Sequence, residues 1–194
     1  MSKILVDTID TRSGTSTLTL GSANLTTLTK ASGVNANFAG VKVAGMWRIT
    51  SDFSVGVDTT VVVNSNWEEV DTGTYTRIGS AMSQSSGIWT FPETGIYQII
   101  WNAQFKSPSQ GATRATSAID ITTDDGTYTT TTDNTGNMYH PNSRTSVQSS
   151  HIFDVTNVST HKCRLTALCE FACTLHGNTS QSRTWVQFIR LGDT

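Results

Sequence analysis

The stretch GIWTFPETGIYQIIWNAQF, Gly87 to Phe105, reads as two strands broken by a turn. Trp89 and Phe91 alternate with polar Thr90, a period of two that suits one face of a strand. Pro92 then removes a ladder donor, and Gly95 allows a backbone angle that residues with side chains avoid. From Ile96 to Phe105 the alternation resumes, with Tyr97, Ile99, Trp101, Ala103 and Phe105 on one face. The stretch is two strands joined by a tight Pro-Glu-Thr-Gly turn.

Outward from this stretch the same grammar recurs. Strand-like runs are expected at 46–55, 60–63, 68–70, 76–78, 116–122, 127–131, 146–155, 162–171 and 184–191, punctuated by Gly, Asn and Asp clusters. No segment of helical length carries a 3.6-residue period, and Thr, Ser, Gly and Asn outnumber strong helix formers. The fold class is all-β, a sandwich or barrel. Three polar stretches, 107–116, 132–143 and 176–182, read as long loops, the usual seat of binding on a β scaffold.

The first forty residues differ. MSKILVDTIDTRSGTSTLTLGSANLTTLTKASG, 1–33, has no aromatic residue, and its aliphatics are spaced by Thr and Ser. Ile4, Val6, Ile9, Leu18, Leu20, Leu25 and Leu28 are too few to close a core and need a partner to cover them. Residues 1–40 are therefore expected to be an extended docking arm, and 41–194 the folded head.

Composition narrows the partners. Charged residues make up 14% of the 194 and the net charge is −2, which gives no reason to expect nucleic acid or an anionic membrane. No run approaches the length of a membrane span, and the N-terminus lacks a signal-peptide pattern. Cys163, Cys169 and Cys173 lack zinc-site spacing and read as buried apolar thiols. The four histidines, His140, His151, His161 and His176, flank no nucleophile elbow, and no metalloprotease or phosphate-loop motif occurs, so no enzyme and no cofactor are expected.

Two polar groupings leave choices open. Asp120 closes a strand and Asp124 and Asp125 sit in the next Asp-Asp-Gly turn. Calcium ligands would converge there, while the same tripeptide is an ordinary hairpin turn. In 132–143, Tyr139 and His140 stand beside Asn142. An aromatic ring among amides suits a host surface glycan, but more simply a solvated loop with one packed tyrosine.

The Gly-x-aromatic-Thr-Phe-Pro-x-x-Gly-x-Tyr pattern of Gly87, Trp89, Thr90, Phe91, Pro92, Gly95 and Tyr97 resembles the central signature of the tumour necrosis factor/complement globular-head superfamily. SSHIFDVTNVSTHKCRLTAL, 149–168, resembles that family's penultimate strand pair, with Asn157–His161 replacing its Gly-Asp turn. RTWVQFIRLGDT, 183–194, is similar to its final strand, so the resemblance spans about 44–194. SKILVDTIDTRSGTSTLTLGS, 2–22, is similar to the N-termini of tail-fibre and other virion proteins of marine bacteriophages such as cyanophages and pelagiphages.

The resemblance implies a jelly-roll sandwich with an extended N-terminal arm, assembled as a homotrimer on other virion proteins of tail or capsid. Trp89, Phe91, Tyr97, Trp101, Trp185 and Phe188 then line either the subunit core or the trimer axis. The role it implies is a short tail fibre or spike that contacts the host surface. Capsid decoration is the alternative.

Overall fold

The chain passes between two sheets at the Pro92–Gly95 turn. The computed structural model describes residues 40–107 and 110–194, and the arm residues Ile4 to Leu28 lie outside that range. Among the described residues there are thirteen strands: β1 Ala44–Ile49, β2 Phe53–Val55, β3 Val61–Val62, β4 Trp67–Glu69, β5 Ser83–Ser85, β6 Ile88–Thr90, β7 Gly95–Lys106, β8 Ala112–Thr122, β9 Thr129–Met138, β10 Arg144–Val155, β11 Lys162–Cys169, β12 Cys173–Leu175 and β13 Trp185–Gly192. They form two antiparallel sheets. One has the order β2-β12-β7-β13-β1-β4 with β10 on the other edge of β7, and the second has β5-β6-β11-β8-β9 with β3 also on β11. Among the described residues there is no helix.

The quoted stretch is thus no hairpin. β6 pairs with β5 and β11, while β7 pairs with β10, β12 and β13. The turn carries the chain from one layer to the other. Gly95 has φ of 147°, and a Cβ there would press into Arg190 Nε and lie 2.7 Å from the Gly192 carbonyl. Only glycine fits that backbone so close to β13.

Strand β7 is the spine, and its alternation decides the core. Tyr97, Ile99, Trp101, Ala103 and Phe105 are all fully buried. Facing them from the second sheet are Trp89 of β6, Ile119 of β8, and Cys163, Leu165, Ala167 and Cys169 of β11. Aromatic pairs knit the layer: Trp67–Trp89 at 5.1 Å, Trp89–Phe188 at 5.1 Å and Phe91–Tyr97 at 4.8 Å between ring centres. These are the tilted or edge-on geometries that ring quadrupoles favour. Two polar contacts also bridge the sheets. Trp101 Nε1 donates to the Thr166 carbonyl at 3.2 Å, and the buried Ser117 and Ser149 hydroxyls meet at 2.9 Å.

The strand reading needs several corrections. The expected 46–55 strand breaks at Thr50–Asp52, and 162–171 ends at Cys169 where the chain changes sheet. Residues 76–78 form only an isolated bridge from Ile78 to Ala44, and the short β5 was missed. Two of the expected loops are largely strand: 112–116 begins β8 and 132–138 completes β9. Polar composition misled there because β9 is an edge strand with most of its residues exposed, so few apolar side chains mark it.

The three thiols are free and buried, as expected of small apolar residues. Burial pushes the Cys163 thiol up, and a hydrogen bond between Cys169 and Cys173 lowers the first and raises the second.

Candidate functional site

The two ends of the sandwich differ. At one end the head's first residues run beside β13: Arg190 N donates to the Val43 carbonyl at 2.8 Å, and Lys42 lies 3.7 Å from Asp193. Arg190 closes this end, donating to the Thr94 carbonyl at 2.8 Å and pairing with Asp193 at 2.6 Å and Glu93 at 3.1 Å. The opposite end gathers the β1–β2, β7–β8, β9–β10 and β12–β13 connections. There Ser107 N donates to the Ser143 carbonyl at 3.1 Å, and Gly177 N donates to Asp52 Oδ1 at 3.0 Å. Chain entry and the loop end are therefore separated by the length of β7, which is about 36–40 Å for twelve residues.

The candidate glycan residues lie at the loop end. Tyr139, His140 and Asn142 occupy the tight β9–β10 connection. Asn142 takes the left-handed φ of 61° there, and Ser143 Oγ donates to the His140 carbonyl at 2.6 Å. Tyr139 is 71% exposed, and its hydroxyl donates to the Asn137 amide oxygen at 2.6 Å. The side chain is largely exposed, with its hydroxyl held.

Beside this turn, pairing assembles a cationic cluster that sequence reading missed. Arg144 of β10 and Thr174 of β12 are the cross-strand partners of Lys106 on β7. In the next row His176 Nδ1 meets Gln104 Oε1 at 3.1 Å, and Gln104 Nε2 donates to Ser146 Oγ at 3.3 Å. Since that amide oxygen only accepts, Nδ1 carries the imidazole proton. Arg183 Nη1 lies 2.8 Å from Nε2 and 3.2 Å from Nδ1, which places the guanidinium over the ring. Burial lowers the His176 pKa, and the charges of Arg183, Arg144 and Lys106 lower it further. The nearest carboxylate is Asp52, 3.8 Å from Lys106 Nζ. No local motif signals the cluster, because three strands and two loops contribute to it.

The middle of the same sheet face is amide and isoleucine. Cross-strand register puts Ile96, Ile100, Ile152, Ile189 and Trp185 on the side away from the core, interleaved with Gln98, Gln187, Asn102 and Gln148. Ile152 is 60% exposed. The aromatic set therefore divides: Trp89, Phe91, Tyr97, Trp101 and Phe188 are in the subunit core, whereas Trp185 faces outward. Opposite Trp185 lies Arg48, only 1% exposed, held by Glu68 at 2.7 Å, Asp71 at 2.7 Å and Thr72 at 2.8 Å.

The three aspartates do not converge. Asp120, on the outer face of the second sheet, takes Arg164 Nε at 2.8 Å and Thr130 Oγ1 at 2.7 Å. Asp124 Oδ1 accepts from the Thr122 hydroxyl at 2.6 Å and from the amides of Gly126 and Thr127 at 2.9 and 2.8 Å. Those donors, the hydroxyl first, hold its carboxyl down at about 2. Asp125 has the φ of 57° that the turn demands. This is the hairpin-turn reading rather than the calcium one: two of the three carboxylates already serve protein donors.

No family model matches the chain, and no curated protein matches it in sequence. Solved structures do match in shape. Murine APRIL superposes with a TM-score of 0.54 at 15% identity, over 77% of this chain and 98% of that chain. Eiger TNF from S. frugiperda superposes with a TM-score of 0.57 at 11% identity, over 78% of this chain and 94% of that one. The PRD1 vertex protein P5 superposes at 0.46, too loosely for the likeness to bear on function. At these identities the likeness speaks for architecture alone: the head is a tumour necrosis factor-like jelly roll.

Proposed function

We propose that the chain is a homotrimeric bacteriophage virion protein, in which residues 1–40 dock on the particle and the head, 41–194, projects as a short tail fibre or spike. Its role is structural and adhesive, not enzymatic. The observation that carries this reading is the polarity of the head: the chain enters at the Arg190–Asp193 end, and the exposed Tyr139 turn lies at the far end. An arm anchored at the entry end presents the loop end outward.

The outward isoleucine face supports the trimer. An exposed Ile152 beside Ile100, Ile189 and Trp185 is apolar area that a monomer gains by covering, and three-fold closure covers the same patch on every subunit. The resemblance of the 2–22 segment to phage virion N-termini supports the docking arm, and that of 87–97 to a trimeric superfamily supports the trimer.

The test is particle assembly. Deleting residues 1–40 is expected to leave heads trimeric by sedimentation while abolishing incorporation into particles. Imaging of the intact particle is expected to show a few trimers at the tail. Density spread over the shell would instead make the protein a capsid decoration. Particles that still incorporate the deleted chain would show that docking runs through the head.

A further inference from the structure

We propose that Lys106, Arg144, His176 and Arg183 form an oxyanion-binding site for a sulfate or phosphate ester carried on a surface polysaccharide. This deepens the host-contact reading and rests on it.

Three observations carry the inference. First, Arg144 and Lys106 are directly opposed across β10 and β7. Like charges in that register repel unless an anion lies between them or beside them. Second, the protein's own carboxylates do not supply it. Among the described residues Arg144 has no ion pair, and Arg183 spends its donors on Gln181 Oε1 and on His176. Asp52 approaches only Lys106 and also caps Gly177 N. Three permanent cations thus share one carboxylate.

Third, the imidazole ring holds a guanidinium in place. Gln104 Oε1 meets Nδ1, and Arg183 Nη1 packs over the ring between its two nitrogens, so ring contact rather than a counter-ion holds the guanidinium. A guanidinium so positioned keeps its charge uncompensated and fixed in direction, as recognition of a tetrahedral oxyanion requires. The Tyr139 face at the same end of the sandwich adds an aromatic surface for the sugar that bears the ester. Neutral sugars would have no use for three cations, which is why the ester is assigned.

The pH response follows from the groups around His176, namely Gln104 and Lys106 on β7, Arg144 on β10, Arg183, and Asp52. Above the ordinary histidine range the ring is neutral and the cluster holds three cations. As pH falls the imidazole protonates and adds a fourth positive charge. Oxyanion binding tightens accordingly.

The experiment measures binding of full-length protein to dextran sulfate, phosphorylated dextran, carboxymethyl dextran, neutral dextran and inorganic phosphate at fixed ionic strength. Wild type is compared with the double variant Arg144→Gln/Arg183→Gln and with Lys42→Gln/Arg77→Gln, which removes the same charge elsewhere. The expected result is binding to the sulfated or phosphorylated polymer, weakened at least tenfold by the first pair and less than twofold by the second. Binding also tightens as pH falls below the ordinary histidine value of about 6.5 in wild type but not in His176→Gln.

Equal losses in both double variants would reduce the effect to net charge and overturn the site. So would equal binding of the carboxymethyl polymer, or no binding at all. Tight binding of inorganic phosphate without polymer preference would overturn the polysaccharide assignment. Dissociation of the trimer by Arg144→Gln/Arg183→Gln would make the cluster a subunit contact and overturn it as well. Normal adsorption of particles carrying that variant, with polymer binding lost, leaves the oxyanion site standing and removes the host-contact reading instead.

Discussion

The Tyr97 hydroxyl donates to the Glu93 carbonyl at 3.0 Å, so a ring buried between the sheets holds the turn that joins them. The phenol is fixed by Phe91 on one side and its hydroxyl reaches back four residues. Tyr97→Phe keeps the packing and removes one hydrogen bond, with an expected loss of about 1 kcal/mol in urea unfolding. Burial, with Glu93 adding to it, pushes the phenol up to about 12. A raised folded-state value means stability is fully present below pH 10 and falls as pH rises from about 10 to about 12. That alkaline loss should be smaller in Tyr97→Phe, and an identical pH profile would contradict the contact.

Gly95 and Gly73 separate steric from conformational strain. Both have positive φ, but nothing lies within 4 Å of a Cβ at Gly73, while Gly95 is backed by Arg190 and Gly192. Gly73→Ala is expected to cost about 1 kcal/mol and Gly95→Ala more than about 3 kcal/mol, measured by urea unfolding. Equal costs would mean that the Arg190 clamp is loose.

Trp101 and Trp185 are predicted to fail in different assays. Trp101→Ala empties the centre of the core and is expected to cost about 3–5 kcal/mol. Trp185→Ala removes a half-buried ring from the outward face, with a stability change of about 1 kcal/mol or less in the folded subunit. Its effect is expected in sedimentation velocity, as a shift from the proposed trimer towards smaller species. A trimer of unchanged stability would remove Trp185 from the subunit contact.

The thiols are expected to be silent. Cys163 and Cys169 are fully buried and Cys173 nearly so. A water-soluble thiol reagent should label none in the native protein and three per chain in urea, with no interchain disulfide on a non-reducing gel. Rapid native labelling would contradict the burial.

Asp124 is expected to contribute to acid resistance. Because its folded-state pKa is lowered, its contribution is present above the ordinary carboxylate value and is lost as pH falls from about 4 to about 2. The stability gap between wild type and Asp124→Ala should close over that window in thermal melts. Adding calcium should leave the melting temperature unchanged, since Thr122, Gly126 and Thr127 already occupy the carboxylate.

Much of the β7 core was legible in the sequence because its cause is local. Period-two alternation from Tyr97 to Phe105 places every second side chain on one face whatever the partner strands are. Pro92 and Gly95 mark a turn through their own backbone limits. Composition set the all-β class. The aliphatic, aromatic-free start pointed to a segment that needs a partner.

Tertiary structure alone decided which faces meet. In β13 both parities are apolar, Trp185 and Ile189 on one, Val186 and Phe188 on the other. Only pairing with β7 and the second sheet placed Phe188 inside and Trp185 out. The polar run 132–138 became a strand because β8 offered it an edge, not because of its own side chains. The Lys106, Arg144, His176 and Arg183 cluster exists for the same reason. Its members are distant in the chain, and each has an unremarkable local context. Register between β7, β10 and β12 puts them on one face, and hydrogen-bond pairing between remote segments leaves no mark in local sequence.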